Sequence, residues 1–382
     1  MYKKQLITII ATVAATNAFA QQTAPQPNVS VYGVLDTMVR YTTNVVESDG
    51  TTVGNQTKMG DGGALQGSRL GFKGEEDLGG NTSAVFQLEM GFLSSNGSAD
   101  QQGQLFGRQA YVGLKNNQWG ELDVGRQYGV AFDTLGNYDP VGMGNMPENE
   151  WQLFLMGVRF DNTLKYTNNF GPIRAEVQYS MGGQAGNSQI GSTTGLGLTY
   201  TQGPLSVGVF DQMSYDADSN KLNVAGIGAS YEISATTLFL NYFNAKRDAG
   251  FEKASNNSGG PLANTSLLGN ADNTLRRTDG VTTVGLQYKA TPQVSLTLGY
   301  MTDSVSNETS TGNSGKISTG YGLVNYHFSK RTDVYVGLDY TKVSGGEIDN
   351  GDLTNTVLQF AGAPLGGNTG RTGVAIGLRH SF

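Results

Sequence analysis

From Val29 onward the chain alternates. Val294, Leu296, Leu298 and Tyr300 interleave with Ser295, Thr297 and Gly299, and Val334, Val336, Leu338 and Tyr340 with Tyr335, Gly337 and Asp339. Ile173, Ala175, Val177 and Tyr179 interleave with Arg174, Glu176, Gln178 and Ser180, and Ala84, Phe86, Leu88 and Met90 with Val85, Gln87 and Glu89. Successive side chains of a strand point to opposite faces, so each run has one apolar face and one polar or small face. The runs last about ten residues, the length that crosses a bilayer at a tilt of ~45°. An apolar face on every second residue is invisible to averaged hydropathy, which explains how the mean can be −0.30.

The connectors alternate too. Short ones read as tight turns: 78–81, 116–120, 168–172, 202–204, 290–292 and 329–331, each built from Gly, Asn, Pro or Ser. Long polar ones fall between them, at 44–63, 93–103, 182–192, 248–280, 303–315 and 345–370. Short turns on one side and long loops on the other are the asymmetry of a membrane barrel. The runs number about sixteen, and the number is even if both termini lie on one side. A soluble β-sandwich also alternates, but these faces would supply more core than one domain encloses. The last run ends the chain, with Val374, Ile376, Leu378, His380 and Phe382 on one face. The predicted fold is an all-β, transmembrane antiparallel β-barrel of about sixteen strands.

Composition narrows the function. The 55 glycines against 9 prolines fit strands with tight turns and closely approaching backbones. The absence of cysteine excludes disulfide scaffolds, thiolate metal sites and cysteine nucleophiles. A net charge of −7 is a poor match for nucleic acid. Residues 1–20 carry the parts of a secretory signal: Lys3 and Lys4, the apolar run Leu6–Ala11, and Ala18-Phe19-Ala20 as a cleavage site. The expected organisation is therefore a cleaved segment, 1–20, and a barrel domain, 21–382. No later run of ~18 apolar residues provides a helical span.

One stretch is too long for a turn. Between Gly125 and Phe160 an acidic segment runs from Phe132 to Pro140 and on through Met146 to Trp151. Its Leu135, Met143, Met146 and Trp151 are apolar enough to pack against something. Loops above ~12–15 residues are uncommon unless functional or disordered. This one is expected to fold into the lumen and narrow it.

Three segments resemble the general-diffusion porins of Gram-negative bacteria, particularly the betaproteobacterial type: Val31–Asp36, Gly67–Gly79, and Leu105–Leu114 with Gly125–Gly129. The ending Gly377–Phe382 agrees. The resemblance implies an integral outer-membrane protein with sixteen strands, a homotrimer, and a third extracellular loop folded inward. It implies contact with outer-membrane lipid and lipopolysaccharide, and Phe382 as the signal read by the barrel assembly machinery. It also implies a basic wall that includes Arg69, Arg108 and Arg159, facing Asp139 and Glu148 on the inward loop. Strand parity adds Arg40 to the wall, and Asp133 and Glu150 are further loop candidates. The chain departs from the enterobacterial pattern at Val141–Met146, which sets Asp139 further from Glu148. Arg126 shares parity with Leu122 and Val124 and is expected to face outward.

The implied function is a water-filled channel for passive diffusion of small hydrophilic solutes and ions, with no cofactor and no reaction. A solute-specific channel of the same fold is the alternative, hinted at by Tyr32 and Tyr335. An outer-membrane enzyme would need an acid–base pair on its rim. His327 and His380 are the only histidines and neither has a nearby nucleophile. Asp216–Asn220 begins like a calcium loop, but Lys221 and Ile227 stand where Gly and Glu are required, so it reads as a hairpin tip.

Overall fold

The computed structural model describes residues 28–46, 52–60, 65–143, 151–267, 274–307, 312–345 and 368–382. The expected signal segment 1–20 lies outside them. In chain order the strands are β1 (Asn28–Val46), β2 (Val53–Gly60), β3 (Arg69–Gly79), β4 (Thr82–Gly91), β5 (Gln109–Asn116) and β6 (Gly120–Tyr128). Then come β7 (Arg159–Phe170), β8 (Ile173–Ser180), β9 (Thr193–Gln202), β10 (Leu205–Tyr215), β11 (Lys221–Ile233) and β12 (Thr236–Arg247). The last are β13 (Arg277–Lys289), β14 (Val294–Ser306), β15 (Gly315–His327), β16 (Thr332–Gly345) and β17 (Gly370–Ser381).

Each strand from β3 to β17 pairs antiparallel with the next, and β17 returns to β1 from Val34↔Ser381 to Thr42↔Gly373. The other edge of β1 is shared. Its first half pairs with β3, from Asn28↔Glu75 to Val34↔Arg69, and its second half with β2, from Met38↔Gly60 to Val46↔Val53. The result is a closed barrel of sixteen staves, with β2 and β3 in line along one edge of β1 as a single stave. Reciprocal backbone bonds of 3.1 Å between Gly33 and Phe382 fasten the chain end to the first stave. Among the described residues no helix is long and apolar enough to cross a membrane.

The two faces separate as the alternation predicts. Leu240, Leu298, Leu338 and Ile376 are 53–61% exposed on the outer face. Their neighbours Asn241, Thr297, Asp339 and Ala375 are buried. The chain end and the short turns share one rim. The opposite rim carries the long connections, although 216–220 is short: Asp216 Oδ1 accepts the Asp218 and Asn220 N–H groups there, making the expected hairpin tip.

Arg40 is a correction. Parity puts it on the inner face, but its guanidinium is 1% exposed and makes bonds of 2.6 and 2.8 Å to the Asp339 carboxylate. Arg40 lies on β1 and Asp339 on β16, with β17 between them. A Cβ at Gly373 would stand 1.8 Å from the Arg40 Nη2, so the pair reaches across β17 only because that stave offers a glycine. Arg40 therefore ties the seam of the cylinder.

Breaking a buried pair from one side strands a charge, at about 3–5 kcal/mol. Arg40→Met or Asp339→Leu alone should lower the urea midpoint of the vesicle-inserted protein. The double variant should recover much of the loss; a double variant as unstable as the sum of the singles would contradict the pairing.

Candidate functional site

The connection 129–158 between β6 and β7 is structured where it is described. It holds the helix α1 (Val130–Leu135), a single 3-10 turn at Gly136–Tyr138, and the helix α2 (Gln152–Met156). The first N–H groups of a helix need acceptors, and Gly129 before α1 has no side chain to offer. The Val130 and Ala131 N–H groups donate instead to Gln178 Oε1 on β8 and Gln212 Oε1 on β10, at 2.9 and 3.2 Å. Gln212 Nε2 also donates to the Met156 carbonyl at 2.8 Å, holding α2 beside α1. Asn241 on β12 donates to the Tyr138 carbonyl, and Gln287 on β13 to that of Pro140, at 2.9 and 2.5 Å. The Tyr138 ring lies so close to Gly208 and Gly228 that a Cβ at either would stand 2.5 or 2.4 Å from a ring carbon. Leu135, Met143, Trp151, Leu155 and Met156 are almost wholly buried in one apolar cluster with Phe160, Phe210, Phe243 and Phe251. Each such side chain contributes about 1.5–3 kcal/mol on burial. The segment is thus fastened to the polar face of β8–β13 by wall amides and an apolar cluster.

Opposite that contact lies a cavity of about 200 Å³ lined by Arg69, Arg108, Arg126 and Arg159. A larger cavity of about 780 Å³ lies toward the short-turn rim, lined by Lys289, His327 and Arg379. Gln66 lines both cavities, with Met143 on the first and Val141 and Gly142 on the second, so the two adjoin at this segment. Asp36 sets Gln66 in place: its Oδ2 accepts the Leu65 and Gln66 N–H groups, and its Oδ1 accepts the Tyr335 hydroxyl at 2.7 Å. Tyr335, 1% exposed, is thereby a buried strut, which removes half of the aromatic hint of solute specificity.

Tyr128 organises the arginines. Its hydroxyl accepts from Arg108 Nη2 at 2.9 Å and from Arg159 Nη2 at 3.0 Å, so these nitrogens lie within about 6 Å of each other. Two such charges repel by about 3 kcal/mol at an effective dielectric of ~20. Arg108 is offset by Glu89, whose Oε1 accepts its Nε–H at 2.6 Å. Arg159 lies over the Tyr128 ring with Cζ 4.5 Å from the centroid, a favourable cation–π placement. The Phe132 ring stacks on the same tyrosine at 4.8 Å.

The Arg126 expectation is overturned. The β6–β7 register slips between Gly125 and Gln127, and Gly125 has φ 138°. A bulge of this kind re-aims the following side chain. Arg126 turns inward, donating to the Gly107 carbonyl at 2.7 Å, to Asp161 Oδ1 at 2.7 Å and to the Asn264 carbonyl at 3.0 Å. The same irregularity, with Asn162 at φ 52°, buries Phe160 on the inner side, although alternation places it outside.

The acidic expectations divide. Asp133 on α1 pairs with Lys165 of β7. Asp139 does not face the arginines: it is 3% exposed, and its Oδ1 accepts the Val141 and Met143 N–H groups at 2.9 and 3.1 Å. The turn at Pro140–Gly142 needs that acceptor, and burial pushes the Asp139 carboxyl up. Glu148 and Glu150 lie outside the described residues. Among the described residues, Asp100 is the one carboxylate on the cavity lining.

The Gram-negative porin family profile matches residues 7–346. The chain belongs to the Gram-negative porins. Across its full length it is 30% identical to outer membrane porin protein 32 of Delftia acidovorans, also covered in full. It is 33% identical to an outer membrane porin protein of Bordetella pertussis over 59% of this chain and 66% of that protein. Among solved structures the anion-selective porin from Comamonas acidovorans superposes with a TM-score of 0.71 at 22% identity, covering 94% of this chain and all of that one. This porin is accordingly a protein of the bacterial outer membrane.

Of the expected basic wall, the porin brings Arg69, Arg108 and Arg159 to one cavity and adds Arg126. The glycine before Arg126 was a visible sign of a bulge, but nothing in the sequence fixes where a register slips.

The porin's Asp139 also gives a pH signature. Its carboxyl is raised in the folded segment, so the folded form binds the proton more tightly than the open form does. Stability of the segment should rise as pH falls through the raised value and level off below the ordinary ~3.9. Hydrogen exchange of 136–143, corrected for intrinsic rate, should show this slope. Asp139→Asn, which keeps an acceptor oxygen, should flatten it; an unchanged slope would remove Asp139 as its source.

Proposed function

We propose that this porin is a channel for small hydrophilic solutes that prefers anions, and that 129–158 is its third loop, folded into the lumen to form the constriction. One observation carries the preference. Among the described residues Arg108 and Arg126 have carboxylate partners in Glu89 and Asp161, whereas Arg69 and Arg159 form no ion pair. Arg69 makes one side-chain hydrogen bond, to Gln66 Oε1 at 3.2 Å, and Arg159 bonds only the Tyr128 hydroxyl. Two guanidinium groups without an ion pair in a narrow wet passage favour anions over cations. Of the loop carboxylates among the described residues, Asp133 is committed to Lys165 and Asp139 to its own turn.

The inward position of the loop is supported by its wall amide contacts and by the burial of Tyr138 against Gly208 and Gly228. A homotrimer is supported by family membership and by a solved neighbour of the fold, OmpT of Vibrio cholerae, which occurs in a trimer form. Residues 1–20 are proposed to be removed after export. Phe382 is proposed to be read by the barrel assembly machinery, and the exposed apolar belt to contact lipid and lipopolysaccharide. The work is passage rather than catalysis.

In a salt gradient across a planar bilayer the reversal potential should take the sign of anion preference. Arg69→Gln and Arg159→Gln should each move it toward cations, more than Arg40→Gln does. A shift from Arg40→Gln as large as from Arg69→Gln would contradict the assignment. Conductance should rise in correlated steps of three, and single uncoupled steps would count against the trimer.

A further inference from the structure

The arginine cavity is two-sided, and its second side is not explained by ion passage. Beside the arginines the lining has an apolar part: Phe132, Leu153 and Phe154 are half-buried on it, together with the buried Val158 and Met143. Phe132 stacks on Tyr128 with rings 23° from parallel, and Tyr128 carries Arg159 on its ring. Charge and greasy surface therefore meet along one aromatic stack. A passage that served inorganic ions alone would gain nothing from half-buried Leu and Phe, because water wets them poorly.

We propose that the cavity transiently binds amphipathic organic monoanions, carboxylates carrying an aryl or short alkyl body. The inference rests on the anion-preferring reading above and names the solutes that it favours. The carboxylate takes the Arg69 guanidinium, with Arg159 beside it. A planar guanidinium meets a carboxylate with two parallel N–H bonds, which fixes the orientation of the solute. Its body then lies against Phe132 and Leu153, and about 200 Å³ accommodates a single six-membered ring with its carboxylate. Removing part of one ring from water is worth roughly tenfold in affinity at ~25 cal/mol per Å². That retention is small enough for release, as passage through a channel requires.

The test uses the full-length trimer in planar bilayers carrying a sodium chloride current, with sodium acetate and sodium benzoate as probes of equal charge. Benzoate should halve the chloride current at roughly one-tenth of the acetate concentration. Leu153→Asn should close that gap by moving benzoate toward acetate. Phe132→Asn provides a second variant should the first fail to insert. Arg69→Gln should weaken both probes together. Equal inhibition by acetate and benzoate, in a wild-type channel that still prefers anions, would overturn this inference and leave the selectivity intact. A gap that survives both apolar substitutions would likewise overturn it. A cation-side reversal potential in sodium chloride would overturn both readings.

Discussion

A strand in hydrocarbon has no water for its amides, so each N–H and C=O must find a partner in the next strand, and the sheet must close. Everything else in this porin follows from that obligation. Closure is made by β17 on β1, reinforced where Phe382 and Gly33 exchange backbone bonds and where Arg40 reaches Asp339 across Gly373. Because the ladder supplies the stability along the staves, the inner face is free to carry polar residues that a packed core would reject. Those inner residues, Gln178, Gln212, Asn241 and Gln287, then hold the connection 129–158.

The connection is in this sense a second domain without a sheet of its own. Its helices of six and five residues are too short to persist alone. They persist because wall glutamines bond the first N–H groups of α1 and the Met156 carbonyl of α2, and because Leu135, Trp151 and Met156 share a cluster with Phe210 and Phe243 of the barrel. Phe210 and Phe243 thus lie on the face opposite the exposed apolar belt, the reverse of what alternation assigns to large apolar side chains. The chain has two apolar surfaces, the exposed belt and the one that meets its own connection.

That doubling marks the limit of what alternation reveals. Where a face meets lipid on one side and open space on the other, as at Val336 and Leu338, sequence parity and structure agree. Sixteen staves, the turn asymmetry and the position of the long connection were all legible for this reason. Parity failed at Arg126 and Phe160, both beside the slip at Gly125 and Asn162, because strict alternation is lost where the ladder bulges. The expectation failed differently at Arg40, placed by parity, and at Asp139, placed by the resemblance: sequence does not show whether a charge meets solute or a partner. Asp339 is 299 residues from Arg40, and the backbone that engages Asp139 is only two to four residues away.

The same distinction explains how a cluster of guanidinium groups is tolerated. Four positive side chains in one cavity would repel strongly if all were uncompensated. Glu89 and Asp161 neutralise Arg108 and Arg126, and Tyr128 accepts from Arg108 and Arg159 at once while presenting its ring to the second. The carboxylates sit behind the arginines they serve, on the wall. Among the described residues of the connection, Asp133 is held by Lys165 and Asp139 by its own turn. The contacts that hold Asp133 to Lys165 and Asp139 to the Pro140 turn therefore also set where these two carboxylates of the connection lie.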